Sequence, residues 1–170
     1  MTSMLQKLEQ GQAELAPRRA ETEADLLRFA VMDVLLFWSN QESLHKLQAE
    51  LWQPVLDWVA YKCGVPPKVT TGLDVPEQDP RLVQVLQQSL AQMSLKKLSA
   101  MLAAALEMRS VLLAWALVER RISAEEAYQA AWLEEIWQAE KWGADEVAEA
   151  KRQDYRRNLT EVETFLNMAA

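Results

Sequence analysis

The chain has 170 residues, half of them apolar and a quarter charged, which is typical of one globular domain and not of a disordered segment. Its net charge of −7 argues against a nucleic-acid backbone as the main partner, because such binding needs a basic surface. The single cysteine, Cys63, excludes an internal disulfide and favours a reducing compartment.

The apolar segment 98–118 is the only stretch that resembles a membrane span. Glu107 and Arg109 lie in its middle, and charges at the centre of a bilayer are costly. We therefore expect a buried central helix and no membrane insertion. The first residues lack the apolar core of a secretion signal and are not Arg-rich. If the protein works in an organelle, we therefore expect its presequence to have been removed.

The pattern predicts helices nearly throughout the chain. The first main helix begins near Glu21 and carries an apolar stripe at helical spacing, formed by Leu26, Phe29, Ala30, Val34 and Phe37. The second helix contains Pro54, which predicts a kink or restart at Trp52–Gln53, and it ends at Gly64. The proline-rich segment 66–80 is predicted to be a loop.

Further helices follow from capping signals. Asp79 and Pro80 predict a helix start, with that helix ending near Met93. The buried helix is expected from about Leu95 to Arg120, and Ser123 with Glu126 forms a capping box for the helix that ends at Gly143. A charged helical tail completes an all-α fold, a compact bundle of about six to seven helices around the Ala/Leu-rich central helix.

Catalytic groups are scarce in this sequence. His45 is the only histidine, so a two-histidine metal site cannot be built, and nothing in the spacing brings His45 to Cys63 as a nucleophile pair. Glycine-rich phosphate loops and nucleophile elbows are also missing. The sequence therefore predicts a protein that is not an enzyme and that uses no cofactor or metal.

The segment WLEEIWQAEKWG, residues 132–143, points instead to binding. Its three tryptophans are five residues apart, and each such step turns the side chain by about 140° around a helix, so they cannot share one face. Trp132 is placed in the core, Trp137 at its edge, and Trp142 beside a polar face. The alternative, in which all three tryptophans are core and the acids are merely solvated, stays open.

Three blocks of sequence resemble one family. LEEIWQAEKWG is similar to the Leu-Glu-Glu-Glu-aromatic-Gln-Ile-x-x-Trp-Gly segment of the α-subunit-specific assembly chaperones of the F-type ATP synthase catalytic sector. ESLHKLQAELWQPVLDW resembles the helix of that family with Trp-Asp-Pro at its centre, and PRRAETEADLLRFAVMDVLLFW resembles the segment before the Cys-Tyr-Arg-Ala motif. Their order and spacing agree over residues 17–158.

The resemblance implies a function. Such a chaperone binds the unassembled α subunit and covers its β-facing surface until the α/β ring forms, in the mitochondrial matrix or the α-proteobacterial cytoplasm. Carried over to this chain, the partner-binding residues are Glu134, Glu135, Gln138, Trp142 and Asp57. We expect a monomer when the protein is free of its client.

The resemblance also implies a domain organisation. Residues 1–16 would be a partly helical or disordered extension, and residues 17–170 one helical domain corresponding to the C-terminal domain of the family, without its N-terminal β-rich domain. The sequence departs from the family where FWSN, residues 37–40, replaces Cys-Tyr-Arg-Ala, and where Ile136 replaces an acid. A helical scaffold or regulatory subunit that binds a different protein is therefore the alternative function.

Overall fold

The computed structural model describes residues 3–168, and they are helical nearly throughout. Nine α-helices are present in this range: α1 (Met4–Leu15), α2 (Arg19–Ala30), α3 (Glu42–Cys63), α4 (Pro80–Gln92), α5 (Leu95–Met108), α6 (Val111–Val118), α7 (Ala124–Ala131), α8 (Leu133–Trp142) and α9 (Glu146–Asn167). Short 3-10 helices cover Ala16–Arg18 and Val34–Leu36. The predicted all-α fold is confirmed.

The centre of the bundle is α6, all eight residues of which are buried. It packs against α3, α5 and α7, while α5 also packs against α1 and α9. Trp115 is completely buried on α6, and removing a buried tryptophan costs about 3–5 kcal/mol. The predicted central Ala/Leu-rich helix therefore exists, but it is two helices, because the chain breaks at Arg109 and Ser110.

The buried carboxylate of Asp33 explains this break. Its Oδ2 accepts a hydrogen bond from the Leu112 N–H at 3.0 Å, and its Oδ1 accepts one from the Ser110 hydroxyl at 2.8 Å. The same Oδ1 accepts from the Leu35 N–H at 3.1 Å. Asp33 thus satisfies backbone donors at the start of α6 and of the 3-10 helix, donors that would otherwise be buried without partners.

The helix α2 ends earlier than the apolar stripe suggested. It stops at Ala30, and Val34 belongs to the following 3-10 helix, so the five stripe residues do not share one helix face. Leu26 and Ala30 are buried as expected, whereas Phe29 is 51% exposed and Val34 is also exposed. The predicted single stripe is therefore wrong, because Val34 lies beyond the end of α2 and Phe29 faces solvent.

Most of the predicted capping signals are confirmed. Asp79 accepts from the Arg81 N–H at 2.9 Å, Ser123 and Glu126 form the capping box of α7, and Gly64 ends α3 with a φ of 73°. Helix α3 is continuous through Pro54, so the restart is wrong, while the kink at Trp52–Gln53 stays a prediction. In the loop 66–79, Thr70 forms an isolated parallel bridge with Phe37.

The segment predicted as an extension is packed against the bundle. Leu8 and Leu15 of α1 are buried, and the Ser99 hydroxyl of α5 donates to the Leu8 carbonyl at 3.1 Å. A 3-10 turn then leads directly into α2. The division into residues 1–16 and 17–170 stays a prediction. Within residues 3–168, no helix combines the length and the apolar character needed to cross a membrane.

A pH-dependent contribution to stability is expected from Asp33. Burial raises the pKa of this carboxyl, and the hydrogen bonds from Leu112, Leu35 and Ser110 only partly oppose the rise. Such a group contributes stability that is complete below the unfolded-state pKa of about 3.9 and is lost as pH rises toward the folded-state pKa. The unfolding free energy of the wild type minus that of Asp33→Asn should therefore fall as pH rises above about 4.

Urea unfolding of both proteins between about pH 4 and pH 8 measures this difference. Asp74→Asn, on the exposed loop 66–79, controls for the loss of one acidic side chain. A difference between wild type and Asp33→Asn that stays flat or rises with pH would contradict the expectation.

Candidate protein-binding surface

Helix α8 lies on the bundle surface with most of its side chains toward solvent. Leu133 is its only buried residue, and Glu134, Glu135, Gln138 and Glu140 are exposed. Helical periodicity places Glu140 between Leu133 and Ile136, on the apolar side, but α8 is packed too lightly to bury its carboxylate. An acidic helix face is therefore available to another protein.

The start of α8 is set by Trp132, at which α7 ends. Its ring stacks between Tyr128, with centroids 5.6 Å apart, and Tyr155 of α9, with centroids 4.8 Å apart. Trp132 is half-buried, so it holds α7 against α9 from the edge of the core and not from its centre. An ion pair and hydrogen bond between Arg156 and Glu125, with Nε 2.8 Å from Oε2, joins the same two helices.

The end of α8 carries an exposed aromatic pair. Trp142 is 68% exposed and meets Trp137 edge-on, with ring centroids 5.5 Å apart. The Lys141 ammonium lies 4.9 Å from the Trp137 centroid and 5.2 Å from the Trp142 centroid, within cation–π distance of both rings. Trp137 donates through Nε1 to the Ser43 hydroxyl at 3.2 Å, which fixes this end of α8 to the start of α3.

The structure brings four of the five predicted partner-binding residues together. Glu134 and Gln138 are one helical turn apart on α8, and Glu135 and Trp142 lie on the same helix. Asp57 is separate: α8 meets α3 near Ser43, whereas Asp57 is 14 residues further along α3, about 21 Å at 1.5 Å per residue. Its carboxylate accepts a hydrogen bond from Gln53 at 2.8 Å.

A groove of about 260 Å³ lies beside α8, and the sequence did not predict it. We call it the charged groove. Its lining includes Glu107, Arg109, Trp132, Glu135, Lys151 and Arg152. The Glu107 carboxylate accepts from the Asn158 amide at 2.8 Å. The only signal for it in the sequence is the presence of Glu107 and Arg109 within the apolar segment 98–118.

The candidate nucleophile and base do not meet. His45 and Cys63 lie 18 residues apart on the continuous helix α3, which corresponds to about 27 Å. Burial raises the pKa of the Cys63 thiol to about 11, so it stays protonated near neutral pH and is a poor nucleophile. No cluster of three metal-ligating side chains occurs among the residues with described positions.

Comparison with known proteins identifies one family. The family model described as ATP12 chaperone protein matches residues 1–60. Atp12 from Paracoccus denitrificans is 30% identical, with a TM-score of 0.83 over 89% of this chain and 66% of that one. A point mutant of Atp12p from the same organism is 29% identical, with a TM-score of 0.88 over 96% of this chain and 70% of that one.

A third similar structure is a candidate chaperone from Agrobacterium tumefaciens, 29% identical with a TM-score of 0.80. It is matched over 95% of this chain and 61% of its own length. The chain thus spans 61–70% of the length of the three solved chains. The family model matches only residues 1–60, so it does not include α8. The structural match to the Atp12p mutant covers 96% of this chain and leaves few residues out.

The two kinds of tryptophan should differ in their effect on stability. Trp132→Ala removes a ring stacked between two tyrosines and should lower the unfolding free energy by about 2–4 kcal/mol. Trp142→Ala removes an exposed ring and should change it by about 0.5 kcal/mol or less. Chemical denaturation checks both values, and equal losses would show that α8 is packed more tightly than its exposure indicates.

Proposed function

The chain belongs to the ATP12 chaperone family, and we propose that it is an assembly chaperone that binds the unassembled α subunit of the F-type ATP synthase. In this proposal it shields the β-facing surface of α until the α/β ring forms, and then it is displaced by β. The observation that carries the proposal is the agreement with Atp12p over 96% of this chain at a TM-score of 0.88.

The surface of α8 is suited to protein binding. It offers Glu134 and Glu135 in the first helical turn, and an exposed tryptophan at the other end. Aromatic side chains contribute strongly to protein interfaces, and acidic residues near them attract basic patches on a partner. We propose Glu134, Glu135, Gln138 and Trp142 as one contact region for the client. Asp57 belongs to this function only if the client also reaches the far part of α3.

The alternative, a scaffold or regulator with a different partner, was suggested by the FWSN segment. In this chain the segment has structural contacts: Trp38 donates to the Leu35 carbonyl at 2.8 Å and packs edge-on against Trp52 with centroids 6.4 Å apart. The Ser39 N–H donates to Gln48 at 2.8 Å. Trp38 and Ser39 make these contacts with other residues of the same chain, so they have a structural role. The departure of FWSN from the family motif is therefore compatible with an unchanged client.

The location follows from the same proposal. The similar structures come from Paracoccus denitrificans and Agrobacterium tumefaciens. We propose that the protein acts in the cytoplasm of such a bacterium or in the mitochondrial matrix.

Co-expression with isolated ATP synthase α subunit tests the function. We expect the wild-type chain to keep α soluble and to co-purify with it. Glu134→Lys should weaken the complex by about tenfold or more, because a charge reversal replaces attraction by repulsion at the contact. The amount of soluble complex and its Kd are the measurements.

Glu9→Lys is the matched control. It makes the same charge change at an exposed position of α1, and it should retain the complex. If wild type does not retain α, the proposed function is wrong. If Glu134→Lys and Glu9→Lys bind α equally well, the function stands and the assignment of Glu134 is wrong.

A further inference from the structure

A second groove, of about 370 Å³, lies between α2 and α5, and its lining is mainly apolar. We call it the apolar groove; its walls include Phe29, Met32, Leu102 and Leu106. Leu106 is 71% exposed, and Phe29 and Met32 are also exposed. Large apolar side chains gathered around a surface groove are typical of a site that another molecule covers.

The floor of the apolar groove is rigid. It includes Asp33, Ser110 and Val111, which belong to the hydrogen-bonded start of α6. On the α2 side, Asp25 forms an exposed ion pair with Arg28 of the same helix, with Oδ1 2.9 Å from Nη2. The groove therefore exists before a ligand arrives, which lowers the entropic cost of binding.

Arg109 joins the two grooves, because it lines both the apolar groove and the charged groove. Its backbone has a φ of 56°, a conformation that costs a non-glycine residue roughly 1 kcal/mol or more. Among residues 3–168 its guanidinium makes no ion pair with an Asp or Glu. The same holds for Lys151 and Arg152 in the charged groove. The charged groove also holds two carboxylates, Glu135 and Glu107, and Glu107 already accepts a hydrogen bond from Asn158. Its three cations thus outnumber its carboxylates, although the chain as a whole has a net charge of −7.

We propose that the two grooves form one docking surface for a segment of the client that carries apolar side chains next to a carboxylate. The apolar side chains fill the groove between α2 and α5, and the carboxylate pairs with Arg109 through two parallel hydrogen bonds, the geometry that a guanidinium favours. The excess of cations over carboxylates in the charged groove favours a client segment that carries a carboxylate. Glu135 of α8 lines the charged groove, so this surface is continuous with the proposed α8 contact.

The inference rests on the proposed function for the identity of the client, and isolated ATP synthase α subunit is the probe. Leu106→Asp places a charge in the apolar groove, and its control Leu73→Asp places one at a leucine that is 98% exposed on the loop 66–79. We expect Leu106→Asp to raise the Kd for α about tenfold or more and Leu73→Asp to change it by about twofold or less.

Arg109→Gly separates binding from stability. Glycine adopts a positive φ without strain, so this variant should unfold at a temperature equal to or above that of wild type while its Kd for α rises about tenfold. Arg120→Gly is the matched control: Arg120 also ends a helix with positive φ, 63°, but its guanidinium donates to Asn167 away from both grooves. Its Kd should stay within about twofold of wild type.

The outcomes are distinguishable. If wild type fails to bind α, the proposed function is wrong, and this client is wrong with it. If wild type binds α and both groove variants bind equally well, only the docking surface is wrong. If the groove variants instead dissociate a wild-type dimer and leave α binding intact, the groove belongs to a second copy of this chain, and the proposal is overturned.

Overlapping peptides from the α subunit test the carboxylate separately. Peptides that bind wild type should combine apolar residues with Asp or Glu, and replacing that acid by Asn or Gln should reduce binding to wild type but not to Arg109→Gly. Peptide binding that does not depend on the acid would contradict the role of Arg109.

Discussion

The structure depends on one buried carboxylate. Asp33 joins two segments 77 residues apart in sequence by accepting hydrogen bonds from Ser110, Leu112 and Leu35. Without it, the start of the fully buried helix α6 would leave donors unsatisfied in the core, at roughly 1–3 kcal/mol for each group. Because this carboxylate fixes where α6 begins, it also fixes the break after α5, and it forms the floor of the apolar groove.

Two helix breaks place the surface side chains. The break between α5 and α6 puts Arg109 on the surface where the apolar and charged grooves meet, and the break at Trp132 starts the lightly packed helix α8. In both cases side-chain interactions hold the break: Asp33 and Ser110 cap α6, and two tyrosines stack on Trp132. The buried core thus supports three connected surfaces. They are the acidic helix α8 with its exposed tryptophan pair, the apolar groove, and the cations of the charged groove.

Local signals predicted much of the fold and part of the site. Asp79, Ser123 and Gly64 act through hydrogen bonds or backbone geometry within a few residues, so their effect can be read from sequence. Helical periodicity also accounts for the shared face of Glu134 and Gln138, which are four residues apart on α8. The family resemblance agreed with the matched structures. Periodicity failed for Phe29 and Val34, since an apolar stripe does not reveal whether a neighbouring helix covers it.

The sequence by itself determined the helical class, most helix boundaries, the absence of a histidine pair and the acidic face of α8. Each of these depends on composition or on contacts within one or two turns. Only the tertiary structure decided the breaks at Arg109 and Trp132, the distance of Asp57 from α8, and the meeting of Arg109, Lys151 and Arg152 at one groove. Those features arise from contacts between residues far apart in the chain, such as Asp33 with Ser110, and such contacts leave no periodic signal in the sequence.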